Sequence, residues 1–185
     1  MMVIVPRIAA VSYLNTIPFI YGIEHEGNLR AELLLSPPSL CAKNFAEHKA
    51  DIALVPAAAV PSLADAQVVT EYCIGGVPAS KEALLASDDA LVGAWKPFGK
   101  LPCAFAVWAA HADTDPDAVE TLQHALTYGL EHGYEAILES AFAADPGRAY
   151  AELAHFDYIF DNQKDKALKK FWNSGLKAVP RANPG

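Results

Sequence analysis

The stretch Ile8-Ala9-Ala10-Val11-Ser12-Tyr13-Leu14-Asn15-Thr16-Ile17-Pro18-Phe19-Ile20-Tyr21-Gly22 decides how the rest of the chain is read. Residues 3–11 are rich in Val and Ile, which suit a pleated surface buried in a core. The run ends at the polar group Ser12 to Thr16, after which Phe19, Ile20 and Ile23 place apolar side chains on one helical face. Asn15 stands where a helix-capping side chain is expected. The stretch therefore reads as a strand feeding a helix.

Working outward, the same pattern repeats. Residues 31–35 form a short apolar strand, Ser36-Pro37-Pro38-Ser39 is a turn with capping character, and 40–49 reads as a helix offering Leu40, Phe45 and Ala46 to the core. Residues 51–55 supply a third strand. Pro56 opens an Ala-rich helix over 57–63, and 67–74 a fourth strand closing on Gly75-Gly76. Strands alternating with helices predict an α/β fold, with a mainly parallel sheet covered on both faces. Residues 77–100 break this rhythm with Gly, Pro and polar residues and hold one helical run, 81–86. Beyond them, 101–110 is a buried strand, and 116–129, introduced by Thr114-Asp115-Pro116, a helix. A second helix over 134–143 is broken by Asp145-Pro146-Gly147, and 150–155 forms a third, short one. Residues 162–174 are amphipathic, with Ala167, Leu168, Phe171 and Trp172 read as inward and Lys164, Lys166, Lys169 and Lys170 as outward.

Composition narrows the function classes. The 185 residues are 52% hydrophobic, enough to bury a core, so disorder is excluded as the main state. Fourteen Lys and Arg against 22 Asp and Glu give a net charge of −8, which argues against a nucleic-acid binder with a basic face. Cys41, Cys73 and Cys103 are odd in number and widely spaced, so they read as reduced, mostly buried thiols rather than a disulfide framework or a zinc site. The start lacks the pattern of a secretory signal, and no apolar run approaches the roughly 20 residues that cross a bilayer. A soluble cytoplasmic protein without membrane contact is expected.

Ligands of open α/β sheets bind outside the carboxyl ends of the strands. The candidate segments are Ser12 to Thr16, Ser36 to Ser39, Val55 to Ala57, and Ile74 to Gly76. The first three begin helices, whose N–H groups and positive dipole ends favour an anion such as a carboxylate. Asn15 has both donors and an acceptor to orient a hydroxyl or carboxylate, although a helix cap alone would also explain it, and the same holds for Ser39. Tyr13 is a further candidate; Phe19 and Tyr21 read as core. No Ser-His-acid order, HExxH, Walker loop or GxGxxG is present, and the six scattered histidines read as solvent-facing or satisfied.

The opening stretch resembles the signature of the chorismate dehydratases of the futalosine route to menaquinone. The likeness continues through Ala50-Asp51-Ile52-Ala53-Leu54-Val55-Pro56-Ala57-Ala58-Ala59, Glu71-Tyr72-Cys73-Ile74-Gly75, and Leu101-Pro102-Cys103-Ala104-Phe105-Ala106-Val107-Trp108-Ala109-Ala110. The sister enzyme that makes dihydroxynaphthoate is similar in fold but usually opens with a different strand-helix loop, and ranks lower.

The resemblance implies a two-lobed fold of the periplasmic-binding-protein type, closing on ligand, and conversion of chorismate to 3-enolpyruvoylbenzoate and water without metal or organic cofactor. Asn15 falls on the family's functional asparagine. Ser12, Tyr13, Thr16, Ser39, Pro56, Gly75 and Ser80 are the expected substrate-binding positions. Family members usually carry most of a second lobe where only residues 76–100 stand here, so the resemblance covers roughly four-fifths of the chain by position and half of the cleft. The expected organisation is a main lobe of residues 1–76 and 101–185, with 77–100 a remnant of the second lobe or a connecting segment. A lobe that belongs to the intact protein is favoured over a truly shortened relative. A homodimer is compatible with this reading. The alternative function is a non-catalytic binder of a small carboxylate; a degenerate structural fragment is a third.

Overall fold

The computed structural model describes residues 5–76 and 102–174. Its strands are β1 (Arg7–Ala10), β2 (Glu32–Leu35), β3 (Ile52–Pro56), β4 (Ala66–Gly76), β5 (Cys103–His111) and β6 (Asp157–Ile159). The helices are α1 (Ile17–His25), α2 (Pro38–Ala46), α3 (Pro116–Glu131), α4 (Gly133–Leu138), α5 (Pro146–Leu153) and α6 (Asn162–Asn173), with 3-10 turns at Leu14–Thr16 and Ala57–Ser62. The expected helix over 81–86 and Ser80 lie outside the described residues, as does the start of the first expected strand.

The strands form one sheet in the order β2-β1-β3-β5-β4-β6. The α/β architecture is the expected one, with a difference in strand direction. β1 runs parallel to β2 and β3, whereas β5 is antiparallel to both β3 and β4, and β6 is antiparallel to β4, so the sheet is mixed rather than mainly parallel. An apolar run such as Cys103–His111 marks a buried strand without marking its direction. Gly76 pairs with Cys103, so the end of β4 and the start of β5 lie side by side.

β3 is buried along Ile52 to Val55, as a central strand covered on both faces must be. β5 alternates between the two layers: Trp108 meets Phe19 of α1 at 5.9 Å between ring centroids, while His111 stacks on Phe45 of α2 at 3.8 Å. β4 carries an irregularity between Val69 and Cys73, where Thr70 adopts φ 66°, an uncommon conformation for a β-branched residue. Glu71 N–H bonds Gln123 there at 2.8 Å, and the Tyr72 hydroxyl meets that of Thr127 at 2.7 Å, tying the bend to α3.

α1 and α3 approach to backbone contact. A Cβ placed on Gly22 would lie 1.9 Å from the Ala125 carbonyl oxygen, and one on Gly129 1.9 Å from that of Pro18. Only glycine permits this crossing. All three cysteines are buried thiols, as their spacing implied. Burial pushes the Cys41 thiol up to about 11 and the Cys73 thiol up to about 12.

α6 corrects one assignment. Ala167, Leu168 and Phe171 face inward as expected, but so does Lys164, which is 2% exposed. It lies three and four residues before Ala167 and Leu168, on the buried stripe itself.

Candidate functional site at the strand ends

The pairing directions put the carboxyl ends of β1 to β4, the start of β5 and Asp157 of β6 along one edge of the sheet. The four segments expected to hold ligand therefore share that edge. The Ser36 N–H bonds the Ala10 carbonyl at 2.9 Å, tying the loop after β2 to the end of β1.

Asn15 is buried, at 3% exposure, within the 3-10 turn ahead of α1. It does not cap the helix: the cap position falls on Thr16, with no side-chain capping bond. The Asn15 Oδ1 atom is buried without a hydrogen-bond partner. An orphaned carbonyl of this kind costs on the order of 1–3 kcal/mol, an expense that a bound donor would relieve.

The turn around it is stitched by Thr16. Its N–H bonds the Tyr13 carbonyl at 3.0 Å, and its hydroxyl accepts the Tyr13 N–H at 3.0 Å and contacts the Val11 and Tyr13 carbonyls. The buried Thr16 thus shapes the loop, while Ser12 and Tyr13 are exposed.

The helix starts are less open than expected. The Ile17 N–H bonds Leu14 and Pro18 has none, so the 3-10 turn absorbs donors foreseen for an anion. At α2 the cap is Pro37 rather than Ser39, which is the exposed second residue of the helix. The N–H groups of Leu40 and Cys41 both bond the Pro37 carbonyl at 3.0 Å. The dipoles remain, but the Asn15 carboxamide is the more distinctive polar group.

Pro56 ends β3 and leads into the second 3-10 turn, where Ala57 O accepts the Trp172 indole N–H at 3.0 Å. Gly75 is buried by close packing: a Cβ there would lie 2.8 Å from the Cys103 carbonyl oxygen, 2.9 Å from that of Asp157 and 3.2 Å from Lys164 Cε. Its place is fixed by its lack of a side chain.

Two residues at this edge escaped the sequence reading. The Tyr158 hydroxyl donates to the Asn15 backbone carbonyl at 2.7 Å. Lys164 Nζ bonds Asp157 Oδ2 at 2.7 Å and lies 3.5 Å from Asp161 Oδ2. Burial pulls the Lys164 pKa down, but the Asp157 bond and both carboxylate charges outweigh it and leave it raised, so the buried group is an ammonium. The aromatic and β-branched run Tyr158-Ile159-Phe160 was the available signal for β6.

Residues 6–91 match the family model described as menaquinone biosynthesis. The match supports a role for the chain in menaquinone biosynthesis, and the matched residues include the Asn15 turn and the ends of β1 to β4. No match is found among curated protein sequences. Among solved structures, protein AF1704 from Archaeoglobus fulgidus superposes with a TM-score of 0.72 at 12% identity, covering 91% of this chain and 95% of that one. The Candida albicans CA3427 gene product, described as having the generic periplasmic binding protein fold, gives 0.60 at 11% identity over 99% of both chains. These likenesses are likenesses of fold. The fold of the chain is periplasmic-binding-protein-like. Among the described residues, no helix is long and apolar enough to cross a membrane.

Proposed function

We propose that the chain is a chorismate dehydratase, a carbon–oxygen lyase that removes water from chorismate to leave 3-enolpyruvoylbenzoate. The observation that carries this reading is the buried, unpartnered Oδ1 of Asn15, inside the stretch that matches the menaquinone-biosynthesis family and at the strand-end edge where ligands of open α/β sheets are expected. Hydrogen and hydroxyl leave the substrate ring together as water and the ring becomes aromatic, so much of the driving force belongs to the substrate. The protein's task is to bind, orient and exclude solvent. Asn15 Oδ1 would accept from the ring hydroxyl of the bound substrate and orient it, while its amide would donate to a substrate oxygen. Ser12, Tyr13, Thr16, Ser39, Pro56 and Gly75 form or shape the surrounding wall, and Ser80 would contribute from beyond the described residues. In this reading residues 1–76 and 101–185 make the main lobe, with 77–100 standing where relatives carry the second. The reaction uses no cofactor and takes place in the cytoplasm.

Purified protein is incubated with chorismate while loss of the diene absorbance is followed, beside Asn15→Ala. Turnover by the wild type with a loss of at least about a hundredfold in kcat for Asn15→Ala supports the proposal. Binding without turnover favours a carboxylate-binding protein, and absence of binding removes both readings.

A further inference from the structure

We infer that Tyr158 is a positioning residue for Asn15: its hydroxyl, delivered from β6, fixes the peptide from which the Asn15 carboxamide projects. This rests on the proposed role of Asn15 in the reaction and extends it to a side chain 143 residues further along the chain.

The Asn15 turn is held from two directions. Locally, Thr16 ties residues 11, 13 and 16 together, but none of those bonds uses the Asn15 carbonyl. That oxygen instead accepts from Tyr158 at 2.7 Å, a short hydroxyl bond. The same peptide unit continues into the Thr16 N–H, which donates to Tyr13 at 3.0 Å. Tyr158, the Asn15–Thr16 peptide and Tyr13 therefore form a chain of aligned dipoles, and polarisation at one end strengthens the other.

The donor is itself well anchored. The Tyr158 ring packs edge-on against Phe19 of α1, centroids 5.3 Å apart. β6 pairs with β4 through Tyr72 with Ile159 and Gly75 with Asp157. The Phe160 N–H bonds the Glu71 carbonyl at 2.8 Å, and the Lys164 ammonium holds the Asp157 carboxylate. Burial raises the Tyr158 phenol pKa, so the hydroxyl keeps its proton and remains a donor. The three-residue strand thus delivers a fixed hydroxyl to the backbone of a residue whose carboxamide oxygen has no partner of its own. Positioning of this kind acts on the transition state, since small misplacements of a binding group reduce rate more than ground-state affinity.

The test is Tyr158→Phe, which removes one oxygen and keeps the ring on Phe19. With chorismate, kcat falls about tenfold or more while KM stays within about twofold. In parallel, the side-chain amide resonances of Asn15 in 15N-labelled protein, assigned by their loss in Asn15→Ala, shift or broaden in Tyr158→Phe. Unchanged kcat in a turning-over enzyme, whatever the change in melting temperature, overturns the inference and leaves the proposed reaction standing. If the wild type does not consume chorismate, the reaction assignment fails and the resonances decide the positioning role. An Asn15 amide signal identical in wild type and Tyr158→Phe then refutes it.

Discussion

Replacing Gly129 with alanine tests how α1, and with it the Asn15 turn, is held against the sheet. The new Cβ would lie 1.9 Å from the Pro18 carbonyl oxygen and 3.0 Å from the Gly22 nitrogen, where real Cβ contacts do not fall below 3.0 Å. Both obstructing atoms are backbone, so no side chain can swing aside. The two helices must part by about 1 Å, and overpacking of this type costs about 1–3 kcal/mol, the upper end applying when backbone must move. The higher helix propensity of alanine returns up to about 1 kcal/mol. A net loss of about 2 kcal/mol remains, equivalent to about 4–8 °C in melting temperature for a chain of this size. Gly147 in α5 is the control, because a Cβ there meets nothing within 4 Å and its φ is not left-handed. Gly147→Ala should be neutral or stabilising by up to about 1 kcal/mol. Thermal and urea unfolding of both variants read the difference. A Gly129→Ala protein as stable as the wild type would refute the claim that α1 and α3 meet at backbone distance.

Lys164→Ala should cost about 2–4 kcal/mol in urea unfolding, because it empties a buried volume and deletes the bond to Asp157; Lys164→Met keeps the stem, leaves half-exposed carboxylates that water can solvate, and should cost roughly half as much. Equal stability of Lys164→Ala and wild type would contradict the burial of this lysine. For Asp51, burial pushes the carboxyl up, but hydrogen bonds from the Arg7 N–H and guanidinium, together with its charge, outweigh that and place the pKa below 3.8. The stability this provides is present above pH 3.8 and lost as pH falls through the lowered native value. Arg7→Gln should therefore destabilise by about 0.5–1 kcal/mol at neutral pH, a partly exposed pair being worth no more, and by progressively less as the pH falls through the lowered native value. A pH-independent difference between the two proteins would contradict this assignment.

What the sequence revealed, and what it withheld, follows from the range of each signal. β1 to β3 and the helices after them could be read because hydrophobic period, proline and turn residues are local. Strand direction was hidden, because Cys103–His111 would look the same in either orientation. Charge was a poor guide at Lys164, where position on the apolar stripe of α6 outweighed residue type. Asn15 was found as a residue of interest, but its expected capping role was displaced by a 3-10 turn that uses Thr16 instead. Tyr158 could not be connected to Asn15 from sequence at all, since only the pairing of β6 with β4 brings the two together.

The central claim, that the spare Asn15 carboxamide oxygen exists to meet an acidic ring substrate, is tested most directly by a crystal structure with chorismate or 3-enolpyruvoylbenzoate bound. The account predicts the ligand at the strand-end edge, with one of its oxygens within hydrogen-bond distance of the Asn15 carboxamide. A ligand seated elsewhere, or one seated there with Oδ1 of Asn15 still unpartnered, would contradict it.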